Sequence, residues 1–289
     1  MKPILITLGL VLLILFPGFF LLRPMSSALL RYLVWRISPA TTELRGKVEA
    51  DGTTIHYVSY GAGPAVLLLN GGLSNRLVWF SQIPELVAAG RQVVIPDVRG
   101  HGFSRLGRKE LNYRLLATDA IGVLDRLKIQ KADVVGWSDG GNTALLLGQE
   151  HPERIRRIVA ISANFNPFGL TPEALEETNV QSSGMAYWLK RWWTGAGEHF
   201  SALEKRIKRM WRTYPVLQPA DLQTIEVPTL VIVGRHDMIS TRHAKQMAER
   251  LPQGSLDIVP GGHASPVTHS VLVNEAIAKF LELVPPESM

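Results

Sequence analysis

The chain has 289 residues, 46% hydrophobic and 19% charged, which suits one α/β domain of about 200–250 residues with additions and gives no sign of disorder, collagen or repeats. It contains no cysteine, so a disulfide framework, a thiolate metal site and a cysteine nucleophile are excluded. The net charge of +6 is concentrated in residues 186–214, where seven lysines and arginines meet only Glu198 and Glu204.

The chain opens with 20 uncharged residues, Pro3 to Leu22, bracketed by Lys2 and Arg23. About 20 apolar residues suffice to span a bilayer as a helix. An uncleaved membrane anchor over residues 3–22, within an N-terminal segment 1–40, is therefore expected. The alternatives are a buried core helix and a secretory signal, the latter with Ile4 to Phe16 as its apolar stretch and Ser26-Ser27-Ala28 as its cleavage site. That would leave a secreted or periplasmic protein. Arg23 interrupts the approach to that site, and "LLRYLVWRI" continues as an apolar and arginine pattern suited to a membrane interface. The side of the membrane is left open, because Lys2 and the amino terminus oppose Arg23, Arg31 and Arg36.

From residue 45 the pattern becomes α/β. "TTIHYVSYG" alternates as a strand, and "AVLLLNGG" is a short buried run ending in glycines. "GRQVVIPDVRGHG" repeats that form, and "YRLLATDAIGVLDRLKI" has apolar residues at helical spacing. "KADVVGWS" reads as a strand, "GGNTALLLGQEHP" as a helix closed by Pro152, and "IRRIVAISA" as a strand. Strands and helices alternating through short connections predict a mostly parallel, doubly wound sheet. The alternation stops near Asn166, and residues 166–215 read as helices only. It resumes with "VPTLVIVGRHD", "RHAKQMAERLP", "SLDIVPGGH" and a final helix. The expected organisation is a core over 41–165 and 216–289, with a helical lid over 166–215. The lid would stand above the C-terminal sheet edge, where open α/β sheets bind ligands.

Gly136-Trp137-Ser138-Asp139-Gly140 fits G-x-S-x-G between a strand and a helix, a sharp turn that exposes the serine. A serine hydroxyl needs a base, and the base needs an orienting acid. Asp237 closes the strand ending in "GRHD", and His263 follows the strand ending in "PGGH". Both therefore leave the same sheet edge as Ser138, in the order serine, acid, histidine. His243 and His269 fall inside helices, and His151 at a helix end, so all three are expected at the surface. His236 is expected there too. The backbone amides of Asp139 and Gly72, with Leu73 as the alternative to Gly72, are the candidate oxyanion donors. An ordinary strand-ending turn at "LLLNGGLSN" stays open beside that reading.

Together "GWSDGG", "DVRGHGFS", "GRHD" and "GGH" resemble the α/β-hydrolase superfamily over about residues 50–284. The likeness is to its esterase and carbon–carbon-bond hydrolase branch, where biphenyl-hydrolase-like amino-acid esterases share "GWSDGG". The resemblance implies the α/β-hydrolase fold, a Ser138–His263–Asp237 triad and no cofactor or metal. Dehalogenase and epoxide-hydrolase branches use an aspartate nucleophile, against which Ser138 weighs. The family commonly has His-Gly at the oxyanion loop, where this chain has Asn70-Gly71.

A serine hydrolase acting on carboxylic esters or related small acyl compounds is the expected function. Carbon–carbon or thioester hydrolysis and acyl transfer would use the same residues, and a non-catalytic binding protein is a reading of a different class. Leu203, Ile207, Met210, Trp211 and Tyr214 fall at helical spacing among lysines and arginines. That helix either packs its apolar side on the core or meets an anionic membrane surface, alongside Trp188, Trp192 and Trp193. No nucleic-acid recognition motif accompanies the basic segment.

Overall fold

The structure is a computed structural model that describes residues 23–38 and 41–283. Residues 3–22, on which the anchor and signal expectations rest, lie outside them. Eight strands form one sheet: β1 (Glu43–Ala50), β2 (Thr53–Tyr60), β3 (Ala65–Leu69), β4 (Gln92–Pro96), β5 (Ala132–Trp137), β6 (Ile155–Ile161), β7 (Thr229–Gly234) and β8 (Gly254–Val259). Their spatial order is β1-β2-β4-β3-β5-β6-β7-β8. β2 runs antiparallel to both β1 and β4, and every pairing from β4 to β8 is parallel.

The period-2 alternation of strand side chains divides the core into two apolar layers. Ala65, Leu67, Leu69 and Val134 point to one layer, and Val66, Leu68 and Val135 to the other. The first layer takes Leu116, Ala120 and Val123 of α3 (Tyr113–Arg126) and Ala144 to Leu147 of α4 (Asp139–Glu150). Met247 of α9 (Thr241–Arg250) joins it farther along the sheet. The second layer takes Ile83 and Leu86 of α2 (Gln82–Ala88) and Val273 and Ile277 of α10 (Ser270–Phe280). Each fully buried leucine or isoleucine contributes about 1.5–3 kcal/mol of transfer free energy. With helices on both faces, the loops that follow the parallel strands gather at their C-terminal ends, the edge where open α/β sheets bind ligands.

Two elements differ from the sequence reading. β1, "ELRGKVEA", is an edge strand bound to β2 alone. Helix α1 (Arg23–Ile37) turns Ala28 and Tyr32 into the second apolar layer, so part of the arginine-rich stretch belongs to the folded body.

Between β6 and β7 the chain forms α5 (Pro172–Glu177), α6 (Gly184–Thr194), α7 (Phe200–Thr213) and the short α8 (Pro219–Leu222). Phe200, Leu203, Ile207 and Met210 recur at helical spacing on α7 and are buried. Arg206 and Lys208 are drawn inward as well, while Lys205, Arg209 and Arg212 stay exposed. Arg206 donates to the Gly107 carbonyl at 2.8 Å, Lys208 pairs with Glu204 at 3.2 Å and Arg209 with Glu110 at 3.2 Å. α7 therefore packs its apolar side inward as a cap helix, and the exposed tryptophans, Trp188 and Trp192, belong to α6.

Candidate active site

Ser138 stands between β5 and α4 with φ +56° and ψ −120°, a left-handed backbone that costs a non-glycine residue about 1–3 kcal/mol. Its N–H donates to the Ile161 carbonyl at 2.8 Å, and its carbonyl accepts from the Asn142 N–H at 3.0 Å. The flanking glycines let the turn close. A Cβ on Gly136 would fall 2.1 Å from the Gly140 carbonyl oxygen, and one on Gly140 would fall 1.9 Å from that of Leu69. Any side chain at either position would force β3, β5 and α4 apart.

The loops after β7 and β8 bring the acid and the base to this turn. His263 Nε2 lies 2.9 Å from Ser138 Oγ, and His263 Nδ1 lies 2.8 Å from Asp237 Oδ1. Trp137 Nε1 donates to the His263 carbonyl at 2.7 Å, fixing the backbone that carries the imidazole. Burial pushes the Asp237 carboxyl up, but the hydrogen bond and charge of His263, the Ser162 hydroxyl and the Ile239 amide hold it below the usual aspartate value. Asp237 thus stays ionised and accepts from Nδ1–H, leaving Nε2 unprotonated to accept from the serine.

Ser162 was not singled out from the sequence. It follows β6 with φ +52°, and its Oγ donates to Asp237 Oδ2 at 2.6 Å. No local motif marks it, since "IVAISA" reads simply as the end of a strand.

The oxyanion candidates are more entangled. Asp139 opens α4, so its N–H has no carbonyl partner within the helix and faces the turn of Ser138. Gly71 comes so close to Ser138 that a Cβ there would lie 3.0 Å from the serine Cβ. Gly72 lies against the Asp139 carboxylate, where a Cβ would be 2.2 Å from Oδ2, and its amide hydrogen-bonds to that group. The carboxylate also accepts from Tyr113 Oη at 2.8 Å and from Trp211 Nε1 of the cap at 2.8 and 2.9 Å. Burial raises the Asp139 carboxyl to about 6 despite these donors. Neither Tyr113 nor Trp211 carried a signal in sequence that it would meet the elbow.

His243, expected at the surface, is buried. It stacks on Phe165 with ring centroids 4.0 Å apart and accepts the Phe165 N–H at 3.1 Å, which makes it a packing residue. His236 is exposed. Among the described residues no three histidine, aspartate or glutamate side chains are grouped to hold a metal ion.

A cavity of about 560 Å³ lies over Ser138, walled by Trp137, Leu170, Ile239 and Trp211 and reaching Ser182 and Lys190 beneath α6. An activated hydroxyl with amide donors beside it, at the base of a mostly apolar chamber, is suited to attack on a carbonyl carbon.

Comparison with known proteins agrees with this fold. A family described as the alpha/beta hydrolase fold matches residues 64–195. The 2-hydroxymuconate semialdehyde hydrolase of Pseudomonas sp. (strain CF600) is 27% identical over 275 residues, covering 83% of this chain and 94% of that protein. Among solved structures, the enol-lactonase from Burkholderia xenovorans LB400 superimposes with a TM-score of 0.70 at 21% identity, over 82% of this chain and all of that one. The meta-cleavage product hydrolase from Pseudomonas fluorescens IP01 does so with a TM-score of 0.71 at 20% identity, over 82% and 97% of the two chains.

Proposed function

We propose that this chain, which the match over residues 64–195 and the likeness to the semialdehyde hydrolase support as a hydrolase of the α/β-hydrolase superfamily, cleaves carboxylic esters or related small acyl compounds through an acyl-enzyme on Ser138. The observation that carries the proposal is the relay from Ser138 Oγ through His263 to Asp237, at 2.9 and 2.8 Å.

The steps follow from the geometry. Ser138 Oγ attacks the carbonyl carbon as His263 Nε2 takes its proton, and Asp237 stabilises the imidazolium. The amide of Asp139 receives the oxyanion, and that of Gly72 joins it once released from the Asp139 carboxylate it bonds at rest. His263 then protonates the leaving alcohol, and a water activated by the same imidazole releases the acid and restores Ser138. No cofactor enters these steps.

Carbon–carbon bond hydrolysis is the second reading, favoured by the likeness to the semialdehyde hydrolase. It would use the same three side chains, with a carbanion equivalent as leaving group.

Exposure to a fluorophosphonate should label the protein at Ser138, and Ser138→Ala should abolish labelling. Loss of a triad member costs on the order of 10⁴-fold in turnover. Asp237→Asn should fold but lose most activity. A panel of 4-nitrophenyl esters of graded chain length would define the acyl group. Undiminished ester turnover in folded Ser138→Ala would refute the mechanism.

The same proposal extends to the layout of the chain. It takes residues 166–215 as a lid on a core of 41–165 and 216–289, and residues 3–22 as a single N-terminal membrane anchor. The burial of Ala28 and Tyr32 supports retention of the segment, because signal cleavage near Leu29 would cut α1 in two. An intact amino terminus and resistance to carbonate extraction are expected; a mature terminus near Leu29 would replace the anchor with a signal.

A further inference from the structure

Two helices hold large apolar side chains in solvent. On α1 these are Leu29, Leu30, Leu33, Val34 and Ile37; on α6 they are Met185, Trp188, Leu189 and Trp192, the last 77% exposed. Scattered exposed leucines need no explanation, whereas such side chains concentrated on two helices mark an interaction surface. The inner sides of both helices rest on the same apolar layer, α1 through Ala28, Tyr32 and Trp35, and α6 through Trp193. Asn75 Nδ2 bonds the Trp193 carbonyl, tying α6 to the loop beneath it. α6 also packs Tyr187 against Phe200 in the other layer and roofs the cavity through Ala186 and Lys190.

Charge and chain order identify what these exposed faces meet. Neither helix contains an acidic residue, while Arg31, Lys190 and Arg191 stand among the apolar side chains. The Arg191 guanidinium lies 5.1 Å over the Trp188 ring. Tryptophans beside cations suit the headgroup level of a bilayer, where the rings bury their apolar bodies and the charges reach anionic lipid. In sequence, the uncharged run Pro3 to Leu22 leads directly into α1 at Arg23. We infer that the exposed faces of α1 and α6 dock together on an anionic lipid surface, with Trp188 and Trp192 in the headgroup layer. The inference concerns a surface and is independent of the reaction at Ser138.

The absence of cysteine allows a direct test on the full chain. Leu33→Cys, Trp192→Cys, Met185→Cys and the remote Glu249→Cys would each carry one nitrobenzoxadiazole probe. Vesicles of phosphatidylcholine alone would be compared with vesicles that also contain phosphatidylglycerol. Emission at positions 33, 185 and 192 should move to the blue and rise several-fold with the anionic vesicles, less with neutral ones, and less again in high salt. Position 249 should not respond. Vesicle-bound protein whose probes at 33, 185 and 192 stay aqueous would overturn the inference, since its other residues would then hold it. So would failure to bind vesicles. A shift that grows with protein concentration in the absence of lipid would assign the surface to a second copy of the chain instead. A far-ultraviolet circular dichroism spectrum and a melting temperature unchanged in each labelled variant separate these outcomes from misfolding, whatever the reaction at Ser138.

Discussion

Replacing Asp139 by asparagine tests whether a negative charge beside the nucleophile opposes the chemistry. The carboxyl is 4% exposed, and burial raises it from 3.8 to about 6 against the opposing hydrogen bonds of Trp211 and Tyr113, the charge of His263 and the Gly72 amide. At about 1.4 kcal/mol per unit, the fold disfavours the ionised form by about 3 kcal/mol. Because the folded value is the higher one, the stability gained from the neutral carboxyl is complete below about pH 3.8 and is lost as pH rises through about 6. At neutral pH a carboxylate therefore sits beside the developing oxyanion and holds one of its expected donors, Gly72. Like charges about 5 Å apart repel by about 3 kcal/mol at an effective dielectric of about 20, or about 100-fold in rate. Asparagine keeps one oxygen for Tyr113 and Trp211 and replaces the other with an NH₂ that cannot accept from Gly72, leaving that amide to the substrate. The assay is kcat/KM on a neutral ester such as 4-nitrophenyl butyrate, expressed as the ratio of variant to wild type so that pH effects common to both cancel. The ratio should be near one at about pH 5 and climb to about 10–100 at about pH 8, bending near pH 6. A ratio that stays flat or falls with pH would refute the reasoning.

Ser162→Ala removes the 2.6 Å bond to Asp237 Oδ2 and leaves that oxygen only the Gly234 amide at 3.3 Å. A hydrogen bond to a charged group contributes about 1.5–3 kcal/mol, so urea unfolding should register that loss and kcat should fall with KM unchanged; full stability and full kcat would count against the role. Burial holds His101 and His243 near 4 instead of 6.5. Their stabilising contribution is complete above about pH 6.5 and is lost as pH falls through about 4, at most about 3 kcal/mol each, and denaturation free energies that do not decline over that window would contradict their neutral burial.

The parts of the site that were legible in sequence are those encoded within a few residues. Ser138 could be located because Gly136 and Gly140 are dictated by backbone contacts, and those contacts follow from the strand–turn–helix sequence itself. Asp237 and His263 could be located because each follows an apolar strand of the parallel sheet, and parallel strands deliver their ends to one edge. β1 escaped notice because an edge strand paired on one side keeps Arg45, Lys47 and Glu49 toward solvent and lacks a buried run. His243 was misplaced although the helix held the clue: Ala244, Met247 and Ala248 form the buried stripe, and His243 borders it at helical spacing. The partners of buried charges were beyond reach for a different reason. Asp139 takes its hydrogen bonds from Tyr113 and Trp211, 26 and 72 residues away, and Arg206 spends its charge on a carbonyl 99 residues away. A cation in a periodic helix looks the same in sequence whether it faces water, lipid or a distant carbonyl, and the three differ only in what the fold places opposite it. That is why the helix with more cations, α7, turned inward, while α6, with fewer cations and more tryptophan, kept its apolar side free. For α7 the burial of Phe200, Leu203, Ile207 and Met210 decides the orientation, and its cations follow with whatever oxygens they can reach.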